Sequence, residues 1–596
     1  MSLAFNTGVT PFSGHRVGSR RENLRVQGFP MATTNKPSLT VKCSLTTTID
    51  LMGKIKEKLK GEDDSSPATA SVEAVNNIPS NLCIIDTLQR LGVDKYFQSE
   101  INTILDDTYK LWKQKHKVIY STVSIHAMAF RLLRVKGYEV SSEELAPYAN
   151  QERFSQQTID VAMIIELYRA AQERIFEEES SLEKILAWTT TFLKHQLQTN
   201  SISDKKLHKL VEFYLNNYHG ITIRLGVRRN LDLYDMSYYQ AIKDTDRFSN
   251  LCNEDFLAFA RQDFATFQVQ NQKELQQLQR WYADCRLDTL KFGRDVVLIN
   301  NFLASLVIGD LASDHARLAS AKTSVLVTLI DDLFDHGGST QECYKILELV
   351  KEWKEKPATA EYGSEAVEIL FTALYNTVND LAEMAHVEQG RSVKQFIIGL
   401  WVEILSVFKI ELDTWSDGTQ LSLDEYMSSS WVSISYRILV LVSMQFIGAK
   451  LSDQMLVSQE CTDLSKHGSM VARLLNDVCS FEKERNENTG SSMSILLAVG
   501  RDGRGVSEEE AIAEIKEIVE YHRRKVMQIV YKKGTIFPRK CKDIFMEACK
   551  VGCYVYSSSD QFTSPQQLKD DLKSLLYYPL FLIKKKLILF AILIIS

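Results

Sequence analysis

The stretch EDFLAFARQDFATFQVQNQKELQQLQRWYADCRL (254–287) holds no proline, and its apolar residues recur three and four positions apart. Proline inside a helix removes a backbone hydrogen bond and clashes with the preceding turn, so a run like this can form one long amphipathic helix. The pattern is general. IIDTLQRLGVDKYFQSEINTILDDTYKLWKQ (84–114) has the same spacing, and HAMAFRLLRVKGYEV (126–140) keeps it up to Gly137, a residue suited to ending a helix. Only 10 prolines and 26 glycines occur in 596 residues, with no run of alternating strands and no G-x-G-x-x-G. These features predict an all-α protein of many antiparallel helices between about residues 82 and 577. The length favours two helical domains, 81–255 and 256–578, divided weakly at NLCNED (250–255). No repeat of 20–50 residues suggests a solenoid.

The flanks differ in kind. Residues 1–50 carry Arg16, Arg20, Arg21, Arg25, Lys36 and Lys42 against only Glu22 and Asp50, with many Ser and Thr and no long apolar region. That is the composition of a plastid transit peptide cleaved near VKCS, the alternative being a plain disordered N-terminus. Residues 51–80 read as a linker, because GEDDSSPATASVEAVNNIPS (61–80) is poor in large apolar residues. At the other end, 579–596 is an atypical apolar tail. Its last apolar run, Leu587 to Ile595, is far shorter than the roughly 20 residues a spanning helix needs, so no transmembrane span is expected. Interfacial attachment is the alternative. The net charge of −6 gives no reason to expect nucleic acid or an anionic membrane as partner. Ten scattered cysteines without a C-x-x-C pair read as reduced intracellular thiols.

Two acidic motifs carry the chemistry. SVLVTLIDDLFD (324–335) ends an apolar run in Asp331, Asp332 and Asp335, which share one helical face. Carboxylates so close repel, and one tends to keep its proton unless a cation intervenes. Mg²⁺ fits, since it takes oxygen ligands at about 2.1 Å through one or two carboxylates plus substrate phosphates. The bland alternative is an acidic helix end in water. RLLNDVCSFEKE (473–484) spaces Asn476, Ser480 and Glu484 in steps of four, nearly on one face and spanning about 12 Å. Glu484, the longest side chain, can lean back toward the other two. Arg473 lies on the same side and can grip a phosphate. About 140 residues separate the motifs, enough for several helices to bring them face to face.

D-D-x-x-D followed by N-D-x-x-S-x-x-x-E resembles the class I terpene synthases of plants. AMAFRLLRVKGYEVSSEE (127–144), KELQQLQRWYADC (273–285) and FGRDVV (292–297) are similar to segments of the same family, and the likeness covers about residues 80–578. The nearest type is the short kaurene-synthase-like diterpene synthase. This resemblance implies a class I α-bundle behind a second helical domain, β, without the further γ domain of longer relatives. It implies that Asp331, Asp332 and Asp335 hold two Mg²⁺ ions and that Asn476, Ser480 and Glu484 hold a third, with Mn²⁺ a possible substitute. Arg294 and Arg473 would face the diphosphate, Asp331 and Asp332 would be catalytic, and a carbocation would be left in an apolar cavity closed to water. Trp281 is the first aromatic candidate to steady that cation, with Phe562, Tyr554 and Tyr556 behind it. Core packing is the alternative for each.

The resemblance also has gaps. The D-x-D-D of class II chemistry is absent, since LDLYD (231–235) and KDTDR (243–247) have other spacings. The implied substrate is therefore a bicyclic labdadienyl diphosphate, copalyl or 8-hydroxycopalyl, supplied by a class II partner. The product expected is a labdane-related diterpene such as sclareol or manoyl oxide. The alternatives are a miltiradiene- or kaurene-type hydrocarbon, or a catalytically impaired relative. The R-x-R of monoterpene enzymes is here Arg294 with Val296. In SSSWVSISYR (428–437), relatives often carry Gly where this chain has Ser435, and Ile434 places a branched apolar side chain that cannot position a water. A chain-elongating prenyl diphosphate synthase would carry two D-D-x-x-D motifs, and a non-catalytic scaffold would need neither ligand set. A monomer in the plastid stroma is expected.

Overall fold

The computed structural model describes residues 52–57, 75–154, 160–216, 221–233, 254–309, 314–355, 357–416, 421–487, 492, 495–496, 505–557 and 568–579. The transit peptide, most of the linker, the division at 250–253, Phe562 and the tail beyond 579 lie outside the described residues. Every regular element among the described residues is helical, so the fold is all-α as the periodicity demands.

The N-terminal helices are α1 (Ile78–Arg90), α2 (Gln98–Lys113), α3 (Val123–Val135), α4 (Val161–Ala171), α5 (Ser180–Gln198), α6 (Lys205–Asn216) and α7 (Ile223–Leu233). Pro79 sits in the first turn of α1, where its missing N–H costs nothing. Thr122 caps α3 by accepting from the Ile125 N–H. That helix stops where the sequence predicts, and Gly137 follows with φ +79°. At the centre of these helices the fully buried Asp86 carboxylate meets Arg131 at 2.5 Å and Arg169 at 2.9 Å. Burial opposes its charge, yet Arg169 and Arg131 hold the carboxyl well below the usual range.

The proline-free run forms α8 (Glu254–Asp284), which ends at the left-handed Arg286. After it come α9 (Val297–Ile308), α10 (Asp314–Asp332), α11 (Thr340–Glu352), α12 (Glu365–Gln389), α13 (Lys394–Ser416), α14 (Leu423–Ser433), α15 (Tyr436–Met444), α16 (Gln459–Glu487), α17 (Glu508–Tyr531), α18 (Arg539–Val555) and α19 (Leu568–Leu576). Ser339 with Glu342, Ser422 with Glu425 and Ser507 with Glu510 form capping boxes that start α11, α14 and α17. Nine of the twelve residues of α9 are buried, Asn300, Asn301 and Ser305 among them, as befits a central helix.

The N- and C-terminal segments interlock. The Arg539 guanidinium donates to the Val135 carbonyl at 2.8 Å, and the Tyr531 hydroxyl to Glu173 at 2.7 Å. Glu547 accepts the Ile223 N–H at 2.9 Å, and Gln268 donates to the Leu575 carbonyl at 3.1 Å. A Cβ on Gly137 would lie 2.2 Å from the Tyr531 carbonyl oxygen, so the approach of α3 to α17 requires glycine. No helix among the described residues is long and apolar enough to cross a membrane.

Candidate active site

Helix α10 carries the first acidic motif at its C-terminal end. It does not stop at Asp332 but widens into a π turn, Leu333–Gly337, that carries Asp335. Leu333 and Phe334 stay buried, and Phe334 packs on Phe408 of α13 at 5.6 Å between ring centroids. Gly337 then lets the chain fold back, since a Cβ there would lie 2.5 Å from the Phe292 ring and 2.8 Å from the Asp332 carbonyl. Through Phe292 this closure brings the segment before α9, with Arg294, against the motif.

Arg294 holds both leading aspartates. Its backbone N–H reaches Asp332 at 2.9 Å, its Nε reaches Asp332 at 2.6 Å, and its Nη2 reaches Asp331 at 3.2 Å. Asp332 is fully buried, while 36% of the Asp331 side chain still meets solvent. Asp331 nonetheless lies deep enough for burial, then repulsion from Asp335, to push its carboxyl up to about 7 against the pull of Arg294. Burial disfavours the Arg294 charge, but Asp332 and Asp331 outweigh it and hold the guanidinium above its ordinary value.

The second motif lies on α16. Arg473 donates to the Ser430 carbonyl at 3.2 Å, to Asn476 Oδ1 at 3.3 Å and to Ser433 Oγ at 3.0 Å. Ser480 donates to the Asn476 carbonyl at 2.8 Å. The backbone of α16 continues through Glu484, whose side chain lies outside the described residues. Arg473 of the second motif lies close enough to Asp331 for its charge to lower that carboxyl, as Arg294 does more strongly.

Two acids without a part in the sequence reading complete this network. Glu411, on α13, accepts from Ser433 Oγ at 2.7 Å. Burial raises its carboxyl, Arg473 pulls it down, and Asp331 pushes it up again. Helical spacing marked nothing here, because Glu411 belongs to neither motif. Asp477 is fully buried and turns away from Asn476 to accept from Tyr426 at 3.0 Å and from Ser492 Oγ at 2.7 Å. It anchors α16 to α14, and the one-residue, 100° step from Asn476 was the available signal.

Between α14 and α15 the chain breaks at Ile434 and Ser435. Ser435 has φ +64°, a left-handed conformation that costs a non-glycine residue roughly 1–2 kcal/mol, and its Oγ donates to the Ile434 carbonyl at 2.6 Å. Both residues are half-buried. The next residue, Tyr436, is buried and donates to the Phe545 carbonyl, and it leaves room only for glycine at 468, where a Cβ would meet its hydroxyl at 2.3 Å.

With this geometry in place, comparison with known proteins is informative. Residues 30–215 match the family described as "Terpene synthase, N-terminal domain", and residues 283–525 match "Terpene synthase family, metal binding domain". Sclareol synthase of Salvia sclarea is 71% identical over 578 residues, covering 97% of this chain and 100% of that protein. The chain is a terpene synthase. A miltiradiene synthase of Salvia miltiorrhiza is 68% identical over 97% of the synthase and 98% of its own length. The 9,13-epoxylabda-14-ene synthase of Marrubium vulgare is 56% identical, with coverage of 97% and 98%. Among solved structures, isoprene synthase of grey poplar, in complex with three Mg²⁺ ions and dimethylallyl-S-thiolodiphosphate, shares the fold with a TM-score of 0.75. It is 21% identical and covers 91% of this chain and 98% of its own. Abietadiene synthase of Abies grandis shares it with a TM-score of 0.74, at 24% identity and coverage of 84% and 68%.

The donors that the synthase gathers are carboxylate, amide and hydroxyl oxygens, which suit a hard divalent ion. The crowding of Asp331 by Asp335 is the repulsion such an ion relieves. Among the described residues no three His, Cys, Asp or Glu side chains form a cage by themselves. Three of the aromatic candidates, Trp281, Tyr554 and Tyr556, fall within the described residues. Trp281 donates to Thr377 at 3.0 Å and lies under Lys322, whose Nζ is 5.5 Å from the ring. Lys322 precedes Asp331 by nine residues, a rotation of about 180°, so Trp281 packs on the face of α10 turned away from the motif. It belongs to a small core with Leu275, Leu278 and Val297, and the cation-facing role expected of it finds no support in that position. The Tyr554 hydroxyl donates to Asp571 at 2.7 Å, fastening α18 to α19. Tyr556 lines a cleft of about 2000 Å³, shared by α5, α14 and α17, whose lining includes none of Asp331, Asp332, Asp335, Asn476 and Ser480.

Proposed function

We propose that the synthase is a class I labdane-related diterpene synthase, ionising a bicyclic allylic diphosphate and resolving the carbocation to a labdane-related diterpene. What supports this reading is the pair of motifs: Asp331 and Asp332 held by Arg294, and Asn476 held by Arg473, whose charge reaches Asp331. The absence of D-x-D-D supports a substrate already cyclised by a class II enzyme. The names of the relatives, sclareol, miltiradiene and 9,13-epoxylabda-14-ene synthase, support the same substrate class, and the "chloroplastic" in those names supports a plastid location.

In this reading Asp331, Asp332 and Asp335 hold two Mg²⁺ ions, and Asn476, Ser480 and Glu484 hold the third. Mn²⁺ would substitute. When bound, the ions neutralise the departing diphosphate. The protein's own part is to grip that group with Arg294 and Arg473, whose positions are fixed by Asp332 and by Ser433, and to keep water from the cation with the apolar walls of the bundle. Residues 81–255 would then be the β domain and 256–578 the catalytic α domain, acting as a monomer. Ile434 and Ser435, at the break between α14 and α15, would shape product outcome. An apolar Ile434 favours a hydrocarbon or an internal ether over water capture, and Ile434→Asn or Ile434→Thr should alter the product mixture.

The test is to supply copalyl and 8-hydroxycopalyl diphosphates of both stereochemical series with Mg²⁺ and to identify products by mass spectrometry. Product from at least one, lost on Asp331→Ala or Glu484→Ala or on chelation of the metal, is expected. Turnover indifferent to all three changes overturns the mechanism.

A further inference from the structure

Most hydroxyls buried in the central helices close on their own backbone. Ser305 donates to the Phe302 carbonyl, Thr328 to that of Ser324, and Ser443 to that of Leu439. Asn300 and Ser324 do not follow this habit. Ser324 Oγ, on α10, donates to Asn300 Oδ1, on α9, at 2.6 Å. Asn300 is 1% exposed, and its Nδ2 has no hydrogen-bond partner. Turning the amide over would only exchange which end is unpaired, so one polar atom stays unsatisfied in either assignment. A buried unpaired amide costs roughly 1–3 kcal/mol, and such a group calls for a reason.

Its position supplies one. Ser324 precedes Asp331 by seven residues, which places it on the same face of α10 and about 10 Å further from the diphosphate end. Asp331, at the other end of that face, feels the charge of Arg473 and in turn raises Glu411. Ser324 keeps some accessible surface although its neighbours Thr323 and Val325 are buried, and Leu303 and Val307, on the Asn300 face of α9, do so too. A polyprenyl-derived substrate whose allylic carbon sits at the acidic motif would lay its ring system at this depth. Asn271 also has an unpaired amide nitrogen, but its oxygen accepts from Asn301, one 100° step further round α9.

We infer that Asn300 and Ser324 form a recognition point for a single O–H group at ring depth, carried by an oxygenated bicyclic diphosphate or by one water held beside it. The Asn300 Nδ2–H donates to the incoming oxygen, and the incoming hydroxyl donates to Ser324 Oγ, whose own proton is already committed to Asn300 Oδ1. One donor and one acceptor side by side match a hydroxyl and have nothing to offer a hydrocarbon ring. This assignment rests on the class I reading of the site above and deepens it by naming what the cavity selects.

The experiment compares Asn300→Leu and Ser324→Ala with the parent enzyme on 8-hydroxycopalyl and copalyl diphosphates. The ratio of kcat/KM values should fall about tenfold toward the unhydroxylated substrate if the hydroxyl belongs to the substrate. If it belongs to water, that ratio holds while the share of alcohol among products from copalyl diphosphate falls severalfold. Equal losses on both substrates with an unchanged product mixture overturn the proposal. Affinities for the corresponding inert thiolodiphosphates, measured by calorimetry with Mg²⁺, read the same contact without turnover. A parent enzyme that binds both with equal affinity and forms no alcohol also overturns it, whereas binding with preference but no turnover counts against the class I reading alone. Two variants on different helices guard against one failing to fold.

Discussion

Asp331→Asn should make the protein more stable in metal-free buffer while abolishing its chemistry. Asp331 is raised from 3.8 to about 7 in the folded state, by burial first and Asp335 second. A shift near three units corresponds to about 4 kcal/mol against the ionised form. Because 36% of the side chain meets solvent, screening reduces this to about 1–2 kcal/mol. The sign follows from linkage. A folded pKa above the unfolded one means the folded state binds more protons between about pH 4 and 7, so stability is lost as pH rises through that window. The neutral asparagine escapes this loss. In EDTA at pH 8, calorimetry or dye-based melting should show Asp331→Asn melting about 1–4 °C above the parent. The gain should shrink as pH falls below 7 and be nearly gone by pH 4. Adding Mg²⁺ should raise the parent's Tm more than the variant's, and product formation by the variant should fall at least about a hundredfold. No gain at pH 8, or a gain that grows on acidification, would refute the reasoning.

Three further outcomes follow from other parts of the molecule. Glu411→Gln should lower kcat about tenfold by loosening Arg473 through Ser433, with partial recovery in Glu411→Asp; an unchanged kcat would assign the carboxylate to packing alone. Gly137→Ala should cost about 2–4 kcal/mol in denaturant unfolding, since it combines a left-handed φ with a Cβ 2.2 Å from the Tyr531 carbonyl. His126 is lowered to about 4 by burial, opposed by Glu144, so its stabilising neutral form is complete above pH 6.5 and lost as pH falls toward 4. Up to about 3 kcal/mol of acid sensitivity should therefore disappear in His126→Phe, as followed by melting between pH 7 and 4.5.

How much of this was legible in advance varies with the kind of interaction. The end of α3 before Gly137 and the long helix through 254–284 were readable, because helix formation depends on neighbours three and four residues away. The acidic motifs were readable for the same reason: Asp331 with Asp335, and Asn476 with Ser480, are same-face spacings whose chemistry is local. Asp477, inside the second motif but given no role by the spacing, anchors Tyr426 and Ser492, since the helix turns it to another side. Trp281 was chosen for its type, which suits a cation, whereas its contacts with Thr377 and Lys322 depend on its register on α8 and were not readable.

The sequence by itself determined that this protein is helical, that α3 ends before Gly137 and α8 runs unbroken, and which oxygen donors it offers to a metal and a diphosphate. These are properties of short stretches, set by backbone hydrogen bonding and the 3.6-residue turn. Only the tertiary structure decided that Arg294 grips Asp332, that Glu411 reaches Arg473 through Ser433, and that Asn300 meets Ser324. Each joins residues distant along the chain. Their meeting depends on how whole helices pack and rotate against one another, and no local spacing encodes it.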